Sequence, residues 1–303
     1  METTSPIPIS HPATRDPWAV RALLLTVAIG FAVLFLLVPL LAVFFEAFQK
    51  GLAGYWAALL KPPAQSAIQL TLLVAAIAVP ANLIFGIAAS WAIAKFDFPG
   101  KTVLISLIDL PFSVSPVTSG LVFVLLFGAR GWFGPLLSAW NIKIIFAVPG
   151  IVLATVFVTF PFVARELIPL LQSQGSDEER AALSLGANGW QTFWRITLPK
   201  ARWGILYGII LCNARAMGEF GAVSVVSGHI RGLTNTIPLH VEVLYNDYDY
   251  VGAFAVASLL TLLALITLFI KALLTWHRAD RVLVAWRELR HMGGHRRLLL
   301  PAV

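Results

Sequence analysis

A chain of 303 residues that is 58% hydrophobic and only 12% charged, with a mean hydropathy of +0.83, cannot cover a water-facing surface, for which about 25% charged residues is usual. Apolar dominance excludes disorder, the absence of a three-residue glycine period excludes collagen, and one cysteine excludes a disulfide scaffold or a Cys/His metal cluster. What remains is a polytopic membrane protein, and the net charge of +7 points to anionic headgroups rather than nucleic acid, because its basic residues form no patch interleaved with aromatics.

The first residues, 1–21, form a tail rich in proline, serine and threonine, a composition that predicts disorder. Six apolar segments follow, each long enough for the ~20 residues a helix needs to cross the hydrocarbon core: Ala22 to Phe45, Ala67 to Ala94, Thr102 to Phe127, Ile144 to Leu171, Trp203 to Val226, and Val251 to Ile270. The first is longer than a signal-peptide core and has no small-residue cleavage site after it, so it reads as a retained helix. No short alternating segments suggest a β-barrel. The fold class is all-α: six transmembrane helices across 22–276, then a basic tail over 277–303.

Lysine and arginine set the orientation. With both ends inside, fifteen basic residues lie in inner segments, among them Lys95, Lys101, Arg180 and Lys200. Five lie outside: Lys50, Lys61, Arg130, Lys143 and Arg231. Arg215 and Lys271 fall within or at the edge of spans. Both termini are therefore expected on the cytoplasmic side. The C-terminal tail alternates arginines with Val282, Leu283, Val284, Trp286 and Leu289, the pattern of a helix resting on a membrane surface.

The inner loop between spans four and five, residues 172–202, is patterned. Ser176 followed by Glu179 predicts a capping box, and Asp177, Glu178 and Glu179 suit the positive end of a helix dipole. Gly186 is the expected helix stop. Gly189 and Trp190 are expected in a turn. Phe193, Trp194, Ile196 and Leu198 predict a second short amphipathic helix that Pro199 closes. Two readings are open on physics alone: helices lying on lipid, or a docking element for a groove in a cytoplasmic partner.

RAALSLGANGWQTFWRITLP, Arg180 to Pro199, resembles the signature loop of bacterial ABC importer permeases: Glu-Ala-Ala, three residues, Gly, nine residues, Ile, one residue, Leu-Pro. Ala181, Ala182, Gly186, Ile196, Leu198 and Pro199 match it. Arg180 stands where the pattern has its glutamate, with Glu178 and Glu179 just before, a departure that bears on any glutamate-specific contact. DLPFSVSPVTSGLVF (Asp109 to Phe123), TFPFVARELIPLLQSQGS (Thr159 to Ser176) and NARAMGEFGAVSVVSGHIRG (Asn213 to Gly232) resemble the CysW family of sulfate/thiosulfate importer permeases, from about Trp18 to Trp276. The resemblance implies a coupling helix gripped by a cytoplasmic ATPase, so Glu179, Arg180 and the matching residues are candidate coupling positions. It also implies the company of a related CysT/CysU-like permease, two CysA-like ATPase copies and a periplasmic sulfate- or thiosulfate-binding protein. The chain carries no GxxxxGK[ST] loop, so ATP is expected to be used by another subunit, and no cofactor is expected on this one.

Ionisable groups in mid-membrane are costly and point to function. Arg215 and Glu219 lie four residues apart on one face of span five, with Asn213 in the same turn. They read either as an ion pair that holds helices together or as the lining of a dianion's passage, with Glu219 tempering Arg215 enough for release. The resemblance places span five in the pathway. Asp109 in span three could pair with Arg215 or cap the break made by Pro111 and Pro116; capping is the preferred reading. Arg165 and Glu166 read as interfacial. Ser113, Ser115, Thr118 and Ser119 offer hydroxyls to a passing oxyanion or to neighbouring helices, the latter preferred. Gly218, Gly221 and Gly228 serve close packing or flexing.

These features favour a permease subunit driven by a separate ATPase, for sulfate, thiosulfate or a related oxyanion such as molybdate. A membrane-embedded enzyme would need clustered acids or histidines in its spans. An autonomous channel or carrier would leave the patterned inner loop unexplained.

Overall fold

A computed structural model describes residues 18–270, 272 and 273. The N-terminal tail up to residue 17 and the basic C-terminal tail lie outside the described residues, which contain helices and no strand. The elements are α1 (Trp18–Ala47), α2 (Gly51–Leu59), α3 (Pro62–Lys95), α4 (Lys101–Ser113), α5 (Pro116–Phe127), α6 (Gly134–Ala139), α7 (Val148–Ser173), α8 (Asp177–Ser184), α9 (Gly189–Met217), α10 (Gly221–Ser227), α11 (Ile237–Asn246) and α12 (Tyr250–Ile270).

Four helices, α1, α3, α7 and α12, are long and apolar enough to cross a membrane unaided. Two further crossings are bent pairs. The third expected span breaks between α4 and α5 at an angle of 107°, and the fifth between α9 and α10 at 50°. The first break lies at Val114 and Ser115: Val114 is extended, Ser115 with ψ 135° takes the conformation that the residue before a proline prefers, and Pro116 starts the next helix, where its missing N–H costs nothing. Pro111, by contrast, stays inside α4.

The bent pair α4–α5 nevertheless runs the length of α7. Leu104, Ile105 and Ile108 pack with Phe160, Ala164 and Ile168, Phe112 meets Phe162 at 5.3 Å, Phe123 meets Phe157 at 5.7 Å, and Phe127 joins the cluster around Ile151 and Ala154. The partner residue on α7 moves backward as the chain moves forward. The pair is thus antiparallel to α7 and traverses the same thickness.

The central packing is α3 against α7. Gly86 makes it possible: a Cβ there would sit 2.5 Å from Val163 Cγ1 and 3.2 Å from the Ala164 backbone nitrogen. Lipid provides no hydrophobic drive between helices, so such small-residue contacts and buried hydrogen bonds provide the cohesion. Asn82 donates to Thr159 Oγ1 at 2.7 Å across this interface. In α1, by contrast, none of the central apolar stretch is buried within the chain.

Proline is accommodated in the same way twice. A π turn, Val33–Leu37, precedes Pro39, and another, Phe193–Thr197, precedes Pro199. Val38 N–H bonds Val33 and Leu198 N–H bonds Phe193, each five residues back. The wider turn relieves the clash that a proline ring makes with the carbonyl four residues earlier. Pro199 therefore does not close a helix, as the sequence suggests; α9 runs unbroken from the inner loop into the membrane.

Candidate functional site: an inner coupling element and a broken-helix centre

The inner loop folds as α8, a tight turn and the start of α9. Ser176 precedes α8 but makes no side-chain cap bond, so the capping box expected from Ser176 and Glu179 does not form. Glu179 has stronger partners: Lys95 Nζ lies 2.9 Å from one carboxylate oxygen, and Thr197 Oγ1 donates to the other at 2.7 Å. The capping box forms one element later. Asn188 Oδ1 accepts from Gln191 N–H at 2.8 Å, and Gln191 Oε1 accepts from Asn188 N–H at 3.0 Å. Gly189 and Trp190 accordingly open a helix rather than occupy a turn.

Gly186 ends α8 in the left-handed region at φ +89°. Ala187 N–H bonds Ala182 C=O at 3.0 Å and Gly186 N–H bonds Leu183 C=O at 3.0 Å, which together form a Schellman motif. Around this turn the large apolar side chains point outward. Leu185 is 89% exposed and Trp190 67%, and Leu183 and Trp194 are also exposed. Arg180 and Ala181 share that outer surface, whereas Ala182 is half-buried. Thr197 is buried, and Ile196, Leu198 and Pro199 belong to the π turn and the helix that follows it.

Within the helix bundle the two helix breaks meet. A Cβ on Gly221 would lie 2.9 Å from Pro116 Cβ, and one on Gly120 would lie 2.8 Å from the Ala222 carbonyl oxygen. The starts of α5 and α10 thus lie against each other. Irregular backbone at membrane depth is tolerated where it is buried in protein or lines a wet passage. Glu219 sits in the α9–α10 break and is buried. It pairs with Arg215 at 2.5 Å, and its other oxygen accepts from Ala222 N–H at 3.0 Å. The Arg215 side chain remains 33% exposed. Asn213 turns to Met217 Sδ at 3.5 Å, not to Arg215. Across the contact, Ser113, Ser115 and Thr118 are exposed, while Ser119 is buried and donates to Ser115 C=O of its own turn.

Asp109 neither pairs with Arg215 nor caps the break. It lies within α4 and pairs with Arg165 of α7 at 3.0 Å, with the Arg165 guanidinium 4.6 Å over the Phe112 ring. Arg165 is thus held by two partners on α4. Gly221 and Gly228 serve close approach, Gly228 against the Phe146 ring at φ +69°, whereas a Cβ on Gly218 would have only ordinary contact with Ala214.

Residues 82–277 match the family described as the binding-protein-dependent transport system inner membrane component. The chain belongs to that family. It is 52% identical over 255 residues to the sulfate transport system permease protein CysW of Synechocystis sp., covering 84% of this chain and 92% of that protein. It is 36% identical over 248 residues to the sulfate transport system permease protein CysT of Escherichia coli strain K12, covering 80% and 90%. Its fold matches, at a TM-score of 0.70 and 18% identity over 84% of this chain and 92% of the other, a chain in the crystal structure of a bacterial alginate ABC transporter in complex with an alginate pentasaccharide-bound periplasmic protein. The chain is an inner-membrane transport subunit of the permease class, not an enzyme.

Proposed function

We propose that this chain is one of two related permease subunits of an ATP-driven importer of sulfate or thiosulfate, with both termini cytoplasmic. The observation that carries the reading is the pairing of an outward apolar surface, Leu183, Leu185, Trp190 and Trp194, with a helix, α9, that runs without a break from that surface to the Arg215–Glu219 centre. A groove in a cytoplasmic ATPase can grip such a surface, and the rigid helix carries its displacement to mid-membrane. Near-full-length similarity to CysW supports sulfate as the cargo. The more distant likeness to CysT fits a related second subunit across the pathway. A separately supplied binding protein would deliver the anion, and two ATPase copies would supply the energy.

At the centre, a partly exposed Arg215 attracts a dianion, and the buried Glu219 weakens that attraction so that binding does not become trapping. The exposed hydroxyls of Ser113, Ser115 and Thr118 can replace hydration water on a sulfate-like oxyanion. The test is labelled-sulfate uptake in cells with and without this chain, competed by thiosulfate and by molybdate. The expected result is uptake that requires the chain and is suppressed best by thiosulfate; suppression by molybdate alone would move the cargo to that oxyanion.

A further inference from the structure

Sequence alone offers Glu179 as an acid for the ATPase to contact. Both of its oxygens are instead turned inward and used: one by Lys95 Nζ at 2.9 Å, the other by Thr197 Oγ1 at 2.7 Å. The Glu179 and Lys95 side chains are only 16% and 10% exposed. Lys95 also donates to the Gly175 carbonyl at the entry to α8. The neighbouring pair, Glu178 with Lys200 at 2.7 Å, is much more exposed, and an exposed pair contributes little.

Lys95 is the last residue of α3, a helix of 34 residues and therefore about 50 Å long. Lys61, immediately before its first turn, pairs with Asp249 at 2.9 Å, immediately before α12. One continuous helix thus meets the coupling element at its inner end and the entry to the last crossing at its outer end. Along its length it packs on α7 without room for a Cβ at Gly86, so α3 and α7 are locked together sideways.

We infer that the Lys95–Glu179–Thr197 cluster is a positioning joint through which displacement of the coupling element enters α3 and α9 together, and that Glu179 serves this joint rather than touching the ATPase. The inference rests on the permease reading above. A shielded ion pair transmits geometry because breaking it strands a charge among half-buried neighbours, while a solvated contact simply slides. Arg180, exposed on the outer surface, is left among the polar groups that face the partner.

The test uses the assembled importer in liposomes, measuring ATP hydrolysis and labelled-sulfate uptake in the same vesicles. Lys95→Met and Glu179→Gln are expected to retain the ATPase subunit and hydrolysis, while sulfate moved per ATP falls by at least about threefold. Lys95→Arg and the exchange Lys95→Glu with Glu179→Lys are expected to recover most of that ratio. An unchanged ratio in Glu179→Gln, loss of the ATPase subunit from that isosteric variant, or an exchange that restores nothing would each overturn the joint. If Lys95→Met does not accumulate, Glu179→Gln decides alone. A wild-type importer that moves no sulfate would instead count against the permease reading itself.

Discussion

Glu219 is buried while its partner Arg215, one turn earlier and 2.5 Å away, keeps a third of its side chain exposed. The asymmetry gives the two residues different work. The carboxylate fixes the helix break, because its second oxygen holds Ala222 N–H at the start of α10, while the guanidinium stays partly accessible, as the proposed role in anion passage requires. Glu219→Ala leaves that amide and the arginine without their acceptor and is expected to cost about 1–3 kcal/mol. Glu219→Gln keeps an acceptor for Ala222 and should cost less. Thermal unfolding of the purified importer in detergent checks the order.

Arg215→Ala acts on transport more than on folding. With the complex assembled at normal stoichiometry, sulfate uptake is expected to fall at least about tenfold, since the cationic half of the proposed dianion site is gone. Unchanged uptake, measured with labelled sulfate, would reassign the arginine to holding the helix break.

Gly186 has open space where a Cβ would go but lies at φ +89°. A substitution there acts through conformation, not collision. Gly186→Val forces a branched residue into the left-handed region, at about 1–2 kcal/mol or more, and disturbs the turn that presents Leu185. The protein should insert normally while the co-purified ATPase declines; a full complement of active ATPase would argue against docking at this turn.

His240 lies buried in α11, outside the crossings. Burial, with help from the nearby Arg231 and Lys61 charges and against Asp247, holds its pKa below 6.5. Between the folded value and 6.5 the unfolded chain binds the extra proton, so stability is fully present above about pH 6.5 and falls as pH drops through that window. The midpoint of thermal unfolding should therefore decline from pH 7.5 to 5.5, and His240→Gln should flatten that slope.

The crossings were legible because ~20-residue apolar runs have few alternatives to membrane helices. Gly186 was legible because its turn needs a residue without a Cβ. Proline was harder to read. Pro80, Pro161 and Pro169 lie inside helices, Pro199 follows a π turn, and Pro116 begins a new helix at a 107° bend, where it packs against Gly221 at the start of α10. The Asn188–Gln191 box was present as a local pattern and was overshadowed by Ser176 and Glu179, which fit the same rule. What drew Glu179 away was Lys95, distant in sequence, and likewise Arg165 drew Asp109; no local spacing encodes either contact.

The central claim is that a separate ATPase grips the turn around Leu185. Cys212 is buried and is the only cysteine, so Leu185→Cys gives a unique exposed thiol for crosslinking in native membranes. The account predicts a covalent adduct with the ATPase whose yield changes when ATP is added. Adducts formed only with phospholipid, in membranes that import sulfate, would contradict it.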